Sequence, residues 1–523
     1  MKIRNPILSG FHPDPSICKV KDTYYLANST FEWFPGVELS YSKDLCTWRP
    51  LPSPLQRKTQ LDMTGCEPSC GIWAPCLSYD GKLFYLIYTN VRTWNRGPWK
   101  DTPNFLVTAE KIEGPWSEPV YLNSSGFDPS LFHDTDGKKY LVNMEWDYRW
   151  KKERNFSGIL LQEYDPVKKR PVGAIKKIFT GTDIGFVEGP HIFKRNGYYY
   201  LLTAEGCTFY NHAASIARSK NIEGPYEIHP SNPLISSRGD DTLAIQKAGH
   251  ASLCDYKDGL WALVFLCGRP LPGTTRCVLG RETSLALVKW QDDWPYVVHN
   301  DGSAANTPEP YVITDNDESE IPHNSSRHYD FKDDGFYDDF KYLRTVDNRD
   351  FFKLKSGGGL EIRGGESPCS TFHKALLARR QTDFSFTAVT RLHFEPESFQ
   401  HMAGLTYYYD ENLHYYFAVT KDEKKGRCLV ITSMDSGVFS KTPVLPIPEK
   451  DVYLKLEVEY ARGTFSYSPD NKEWVPVLKD FDTSILSDDY FKDSFTGAFI
   501  GMMCTDTAAM AKCADFLFFD YNV

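Results

Sequence analysis

Five stretches in the first 270 residues repeat one pattern of polar and apolar positions. Each opens on a polar or aromatic residue and passes through Pro or a small residue into an apolar strand start. It then turns through polar residues and returns as an aromatic-rich strand. The openings are Asp14-Pro15-Ser16-Ile17, Trp73-Ala74-Pro75-Cys76-Leu77, Asp128-Pro129-Ser130-Leu131, Glu188-Gly189-Pro190-His191-Ile192 and His250-Ala251-Ser252-Leu253. They lead to Tyr24-Tyr25-Leu26, Phe84-Tyr85-Leu86, Tyr140-Leu141-Val142, Tyr199-Tyr200-Leu201 and Trp261-Ala262-Leu263. Starts lie 55 to 62 residues apart, enough for a four-stranded antiparallel blade with its loops. Asp80-Gly81, Asp136-Gly137, Asn196-Gly197 and Asp258-Gly259 supply hairpin turns inside the units. Ile112-Glu113-Gly114-Pro115-Trp116 recurs as Ile222-Glu223-Gly224-Pro225-Tyr226, an expected outer-strand turn. No amphipathic helix interrupts the series, so the pattern predicts an all-β chain that begins with a five-bladed β-propeller.

The text changes near residue 300. Residues 299–326 are rich in Asn, Asp, Pro and Ser, a linker composition. Beyond them 384–392, 415–420 and 453–460 read as strands, several with alternating polarity, which predicts a C-terminal β-sandwich. The expected division is a propeller over 1–305, a linker over 306–326 and a sandwich over 327–523, the sandwich contributing a loop to the active site. Two domains suit 523 residues.

Composition narrows the partners. Aromatic residues make up 15% of the chain; strands favour them, and sugar rings stack on them through their C–H faces. The net charge of −10 and basic runs no longer than Lys168-Lys169-Arg170 argue against nucleic acid and anionic membranes. Thirteen cysteines lack zinc-like pairs; even Cys66 and Cys70 have no companion pair. Free, structural thiols in a reducing compartment are expected. The N-terminal residues carry no apolar leader core, and the chain as given reads as cytoplasmic, although a removed leader would look the same.

Equivalent starts of a propeller's inner strands converge on its axis. That places Asp14, Asp128 and His250 in register, with Glu188 and Trp73 one residue earlier, an offset that requires a bulge or a different strand entry. Three carboxylates, an imidazole and an indole around one pocket suit glycoside hydrolysis. One acid protonates the leaving oxygen, and a carboxylate activates water or attacks. A third acid tunes the others by like-charge repulsion. Turn-capping at strand ends explains any one of these residues, but not all of them at near-equivalent positions.

At these residues the sequence resembles glycoside hydrolase family 43, with a close match to its β-xylosidases. The carriers include Asn5-Pro6 through Ser16, residues 29–36, Gly71-Ile72-Trp73-Ala74-Pro75, Gly126-Phe127-Asp128 and Glu188-Gly189-Pro190-His191. Gly249-His250-Ala251-Ser252, Leu279-Gly280-Arg281-Glu282-Thr283 and Phe495-Thr496-Gly497-Ala498-Phe499 extend the match over both domains. The resemblance implies an inverting mechanism with Asp14 as general base, Glu188 as general acid, and Asp128 raising the acid's pKa and orienting it. It implies that Trp73 and Phe31 wall the sugar pocket, with core packing as the plainer account of each. It makes Arg281 a ligand of sugar hydroxyls, against a surface ion pair with Glu282 or another acid. Thr208 is a candidate donor to a sugar hydroxyl or a plain loop residue. Phe495 is a candidate lid residue from the sandwich, with core burial as the rival. His250 touches a divalent cation or its waters in some relatives; a hydrogen bond to Asp128 or solvent explains it as well, and no metal site is assigned. No cofactor is required. Asp330 and Asp515 are candidates for a structural calcium, with turn and strand-end acids as the duller account. Cys76 stands where many relatives carry an acid, a departure outside the three catalytic positions.

The expected activity is exo-release of xylose from xylo-oligosaccharides, with a side activity on α-L-arabinofuranosides. The alternatives are an arabinofuranosidase as main activity, which a few pocket contacts of ~1–3 kcal/mol would decide, and a non-catalytic sugar-binding or protein-interaction propeller. Because lid domains often supply subunit contacts as well, a homo-oligomer is among the expectations.

Overall fold

The computed structural model describes residues 2–95, 97–313, 326–491 and 494–523. Five antiparallel sheets follow one another, with inner strands Ser16–Val20, Gly71–Tyr79, Ser130–His133, Glu188–Arg195 and Gln246–Asp255. Each pairs with the strand after it, and the order within every blade is sequential from the axis outward. The hairpin signals sit between inner and second strands. Asn196 and Gly197 both take positive φ (48° and 74°), the conformation a two-residue hairpin needs to follow strand twist. The repeated Ile-Glu-Gly-Pro-aromatic segments connect third to fourth strands in blades two and four. The aromatic residue closes each turn: Trp116 Nε1 donates to Ile112 O at 3.1 Å and Tyr226 Oη to Ile222 O at 2.9 Å.

First and last blades meet without exchanging strands. Leu8 N donates to Thr283 O at 3.2 Å, Ile17 N to Ser252 Oγ at 3.1 Å, and the Asn5 amide bridges Leu285 O and Glu309 O. Within the stretch expected as linker, Tyr311–Ile313 pairs antiparallel with Lys2–Arg4; residues 314–325 lie outside those described.

The second domain is a β-sandwich of two antiparallel sheets. The predicted strands appear as Ser385–His393, Leu413–Asp422 and Asp451–Glu459. In the first and third, alternate residues are buried, as expected for strands with one face on the core. One sandwich sheet recruits a propeller segment: Trp33–Phe34 pairs with Phe340–Leu343 as its edge strand. Trp33 also stacks on Phe499 of the sandwich, with centroids 3.8 Å apart. A single apolar cluster runs from Phe11, Trp33 and Trp73 of the propeller into Leu376, Tyr408 and Phe499 of the sandwich. The interface is thus built like the inside of one domain. Among the described residues all helices are short 3-10 turns, and none is long and apolar enough to cross a membrane.

Candidate active site

One backbone device recurs at the axis. Asp14, Ala74, Asp128, Gly189 and His250 occupy the same position in the five repeats, and all have positive φ (50°, 35°, 53°, 55° and 40°). The first four precede a proline. This left-handed residue turns the chain into the inner strand and explains the one-residue offset. Asp14 and Asp128 sit on the left-handed position itself. Trp73 and Glu188 precede it, where the pairing register with the second strand shifts (Trp73 to Cys76, Glu188 to His191). A bulge of this kind re-aims side chains next to active sites. Non-glycine residues pay for the conformation, which marks the axis as a place where geometry outranks local comfort.

All nine candidate catalytic and sugar-binding residues line one cavity at this end of the axis: Asp14, Phe31, Trp73, Asp128, Glu188, Thr208, His250, Arg281 and Phe495. Its empty volume is about 690 Å³ including the open mouth, within the usual small-molecule range of about 300–1,000 Å³. Asp14 accepts a hydrogen bond from Ser29 Oγ at 2.6 Å on one oxygen and from Arg281 Nη1 at 3.3 Å on the other. His250 Nδ1 stands 3.7 Å from Asp14 Oδ1, so the acid beside this imidazole is Asp14 rather than the expected Asp128. Burial lowers the His250 pKa, with Arg281 adding to the effect against the pull of Asp14. Asp128 Oδ2 accepts from Gly189 N at 3.0 Å, a backbone bond beside Glu188 that fixes the two acids relative to each other. Burial holds both carboxyls well above the usual range; the Asp14 charge adds to the effect at Asp128, and Asp128 then Asp14 add to it at Glu188. Arg281 works against the rise in both. Two such carboxyls in contact resist being ionised together, which favours a proton shared between them.

Arg281 is buried and makes no surface ion pair; Glu282 is taken by Arg269 at 2.7 and 2.8 Å. Its Nη2 donates to Phe495 O at 2.7 Å, and its guanidinium lies over the Phe31 and Phe495 rings at 4.9 and 5.6 Å. Phe495 therefore reaches over the pocket from the sandwich. Its loop is fastened on both sides: Lys247 and Asp489 form a buried ion pair at 2.7 Å, and Ala498 N donates to Val278 O at 2.9 Å. Gly280 (φ +73°) lies against this loop so closely that a Cβ there would stand 2.6 Å from Thr496 O.

The sequence reading missed several participants. Trp94, Phe127, Phe156, Cys207 and Phe209 complete the lining; the ends of second strands face the same way as the starts of inner strands, a signal that was available for Trp94. Ser29 and Ser69 left no such signal. Ser29 Oγ also accepts from Ala74 N at 2.7 Å, tying the acid of blade one to blade two. Ser69 is a junction: its carbonyl accepts from Trp73 Nε1 at 2.9 Å, its Oγ from Phe495 N at 2.9 Å, and its amide donates to Glu32 Oε2 at 3.2 Å. Cys76 is buried with its thiol 3.8 Å from His191 Nδ1, a weak sulfur contact in place of an acid. All thirteen cysteines are free. Asp330 pairs with Lys332 and Asp515 with Lys355, the latter at 2.5 Å. Among the described residues no three His, Cys, Asp or Glu side chains converge as a metal's donor set.

Residues 3–295 match the family described as "Glycosyl hydrolases family 43", and 328–522 match "Beta xylosidase C-terminal Concanavalin A-like domain". The chain belongs to glycosyl hydrolase family 43. It is 46% identical over 535 residues to "Xylosidase/arabinosidase 43B" of Humicola insolens, covering 100% of this chain and 98% of the relative. It is 45% identical over 537 residues to "Beta-xylosidase" of Bacillus subtilis (strain 168), covering 100% of both. The crystal structure of xylan beta-1,4-xylosidase from Bacillus Halodurans C-125 superposes over 100% of both chains with a TM-score of 0.95 at 48% identity. The pocket is accordingly that of a family 43 glycoside hydrolase; the family's own match covers the propeller, and the sandwich matches the separate C-terminal domain.

Ser69→Gly isolates the junction's side chain, because glycine keeps the positive φ of Ser69 (62°) without strain and removes only the hydroxymethyl group that carries Oγ. Losing one hydrogen bond that holds the lid should raise KM for an aryl glycoside about fivefold with kcat held within about twofold. Steady-state kinetics check this; a fall in kcat with KM unchanged would place Ser69 in the chemistry instead.

Proposed function

We propose that the protein is an exo-acting, inverting β-xylosidase. It releases D-xylose from the non-reducing ends of β-1,4-linked xylo-oligosaccharides and also cleaves α-L-arabinofuranosides. The observation that carries this reading is a pocket with three buried carboxyls on its floor, closed on one side by a residue of the second domain. A terminal sugar fits such a pocket, whereas a chain running through it does not. The names of the two relatives and of the solved structure support xylose as the sugar.

In the reaction, Asp14 takes a proton from a water that attacks the anomeric carbon. Its hydrogen bonds from Ser29 and Arg281 aim the carboxylate. Glu188 gives its proton to the glycosidic oxygen on the opposite face, and burial together with Asp128 keeps that proton in place until the bond breaks. Arg281, Phe31, Trp73 and Phe495 hold the xylosyl ring, and Thr208 and His250 meet its hydroxyls. Thirteen free cysteines fit a reducing compartment and support the cytoplasm as its place. The exposed Val438 and Phe439 on an edge strand of the sandwich support a homo-oligomer built through that domain.

The deciding experiment is hydrolysis of xylobiose followed by proton NMR of the nascent anomeric signal. The non-reducing xylosyl unit should leave as α-xylose; β-xylose would require a covalent intermediate and overturn inversion. Arabinofuranoside cleavage without xylobiose turnover would make the arabinosidase activity the main one.

Glu188→Ala should cost about 10²–10⁴-fold in kcat on xylobiose and much less on aryl xylosides, whose leaving groups need little protonation. Equal losses on the two substrates would remove Glu188 from the role of acid. Glu188 works only when protonated, so activity is lost as pH rises through its elevated pKa. Removing the Asp128 charge lowers that pKa. Asp128→Asn should therefore move the alkaline limb of the kcat/KM profile to lower pH, and an unmoved limb would refute the role of Asp128.

A further inference from the structure

Phe495 owes its place over the pocket to the backbone around it. Its ring lies among Phe31, Trp73 and Trp94, with centroids 6.4, 5.7 and 6.1 Å away, so a shift of the chain at 495–496 changes the shape a sugar meets. Two groups of the propeller bond this chain: Ser69 Oγ accepts from the Phe495 amide, and Arg281 donates to the Phe495 carbonyl. Both are shared with other partners, Arg281 with Asp14 and Ser69 with Trp73 and Glu32.

The next bond along the tip comes from the lid's own domain. Tyr407, Tyr408 and Tyr409, at the end of the sandwich strand His401–Tyr408, are all fully buried, and a buried phenol needs a partner for its hydroxyl. Tyr407 donates to Gln381 Oε1 at 2.6 Å and Tyr408 to Glu411 Oε1 at 2.9 Å, both inside the sandwich core. Tyr409 turns to the lid instead. Its Oη donates to Asp488 Oδ1 at 2.7 Å and accepts from Thr496 N at 3.1 Å. One hydroxyl thus ties the base of the lid to its tip. Burial pushes the Asp488 carboxyl up to about 6, against Lys247, Arg281 and the Tyr409 bond and with the help of Asp489. At neutral pH it is therefore ionised and can only accept, which leaves the Tyr409 oxygen free to take the Thr496 amide. Beside it Asp489 accepts from Lys247 Nζ at 2.7 Å and from Cys277 N at 3.0 Å, so the base that Tyr409 grips is itself docked on the propeller.

We infer that Tyr409 is a positioning residue for the sugar pocket: its hydroxyl shapes the lid within the sandwich and so sets Phe495 over the terminal sugar. It acts through Asp488 and Thr496 rather than on the sugar, and the inference rests on the xylosidase reading above for the identity of that sugar. A lid already ordered by its own domain binds the ring more tightly than one that must be ordered by it. Phe495 meets the ring before, during and after bond cleavage, so the effect falls on affinity for substrate and product alike rather than on turnover.

Tyr409→Phe keeps the ring and removes the one hydroxyl. It should raise KM for xylobiose about tenfold with kcat within about twofold, and weaken xylose binding by a similar factor; a fluorescence titration that follows the pocket tryptophans reads the second quantity. Tyr416→Phe is the control. That hydroxyl is equally buried and donates to Met503 O at 3.0 Å within the sandwich, so its loss should lower stability and leave KM and xylose affinity unchanged. Asp488→Asn keeps an acceptor for Tyr409 and should stay within about threefold of the wild type. A KM unmoved in Tyr409→Phe, an equal shift in Tyr416→Phe, or a fall in kcat with KM unchanged would overturn the positioning role. If Tyr409→Phe does not fold, Asp488→Ala carries the same comparison, and unchanged xylose affinity there would overturn it as well. Should the wild type cleave arabinofuranosides and no xyloside, the titration is run with L-arabinose. Weaker arabinose binding in Tyr409→Phe would then keep the role of Tyr409 and sink the xylosidase reading, whereas normal xylobiose turnover with a KM indifferent to Tyr409 would do the reverse.

Discussion

The hydrogen bonds that hold Asp14 are also the joints of the molecule. Ser29 gives its hydroxyl to Asp14 while accepting the Ala74 amide of the next blade. Arg281 reaches Asp14 from the last blade while donating to the Phe495 carbonyl of the sandwich. Blades one, two and five and the second domain thus meet at one carboxylate. Moving any of them by an ångström moves the group that would activate water, and positioning errors of that size cost rate steeply. The segment that leaves Ser29 continues this logic. Phe31 walls the pocket, Glu32 is buried at the interface, and Trp33–Phe34 joins a sheet of the sandwich.

Placing Asp128 and Glu188 in one buried pocket is expensive, and the fold shows where the expense is met. Their elevated pKa values mean that the folded state resists their ionisation, so stability contributed by their protonated forms is lost as pH rises through those values. The left-handed residues add local strain at the same level of the axis. Against this stand the extended apolar cluster across both domains and the close pairing of blades. Catalytic sites commonly trade stability for function in this way, and here a repeated scaffold lets five strands share the load around one point.

Much of this was legible in the sequence because repetition makes position readable. Five strand starts at a common spacing predicted the propeller, and convergence on the axis brought the three acids, Trp73 and His250 together. The offset of Glu188 and Trp73 was visible as an anomaly. Its cause, a left-handed residue followed by a register shift, is a backbone property with no residue signature beyond the following proline. Ser69 was illegible for a related reason: two of its three bonds use main-chain atoms, which every residue has. The neighbour of His250 was misjudged because a shared repeat position fixes where a side chain starts, not which of two nearby acids it faces. Arg281 and Phe495 lie 214 residues apart, and no local pattern couples them; only the family resemblance linked both to the pocket.

The interface chemistry explains why the second domain is more than a cap. Arg344 of the sandwich donates two bonds to Glu411, at 2.8 and 3.1 Å, and Lys374 a third at 2.8 Å, all buried. The same arginine passes its Nε to Cys66 O and its amide to Glu32 O, both in the propeller. Burial pushes the Glu32 carboxyl up to about 8, with Arg344 opposing the shift and Glu411 adding to it. Polar groups this deep are tolerated only when their partners are in place, so the network exists only with both domains folded together. Ser69, which holds Trp73 and Phe495, hangs from the Glu32 end of that network. The shape of the sugar pocket is therefore set by a buried polar joint behind it as well as by the residues that line it.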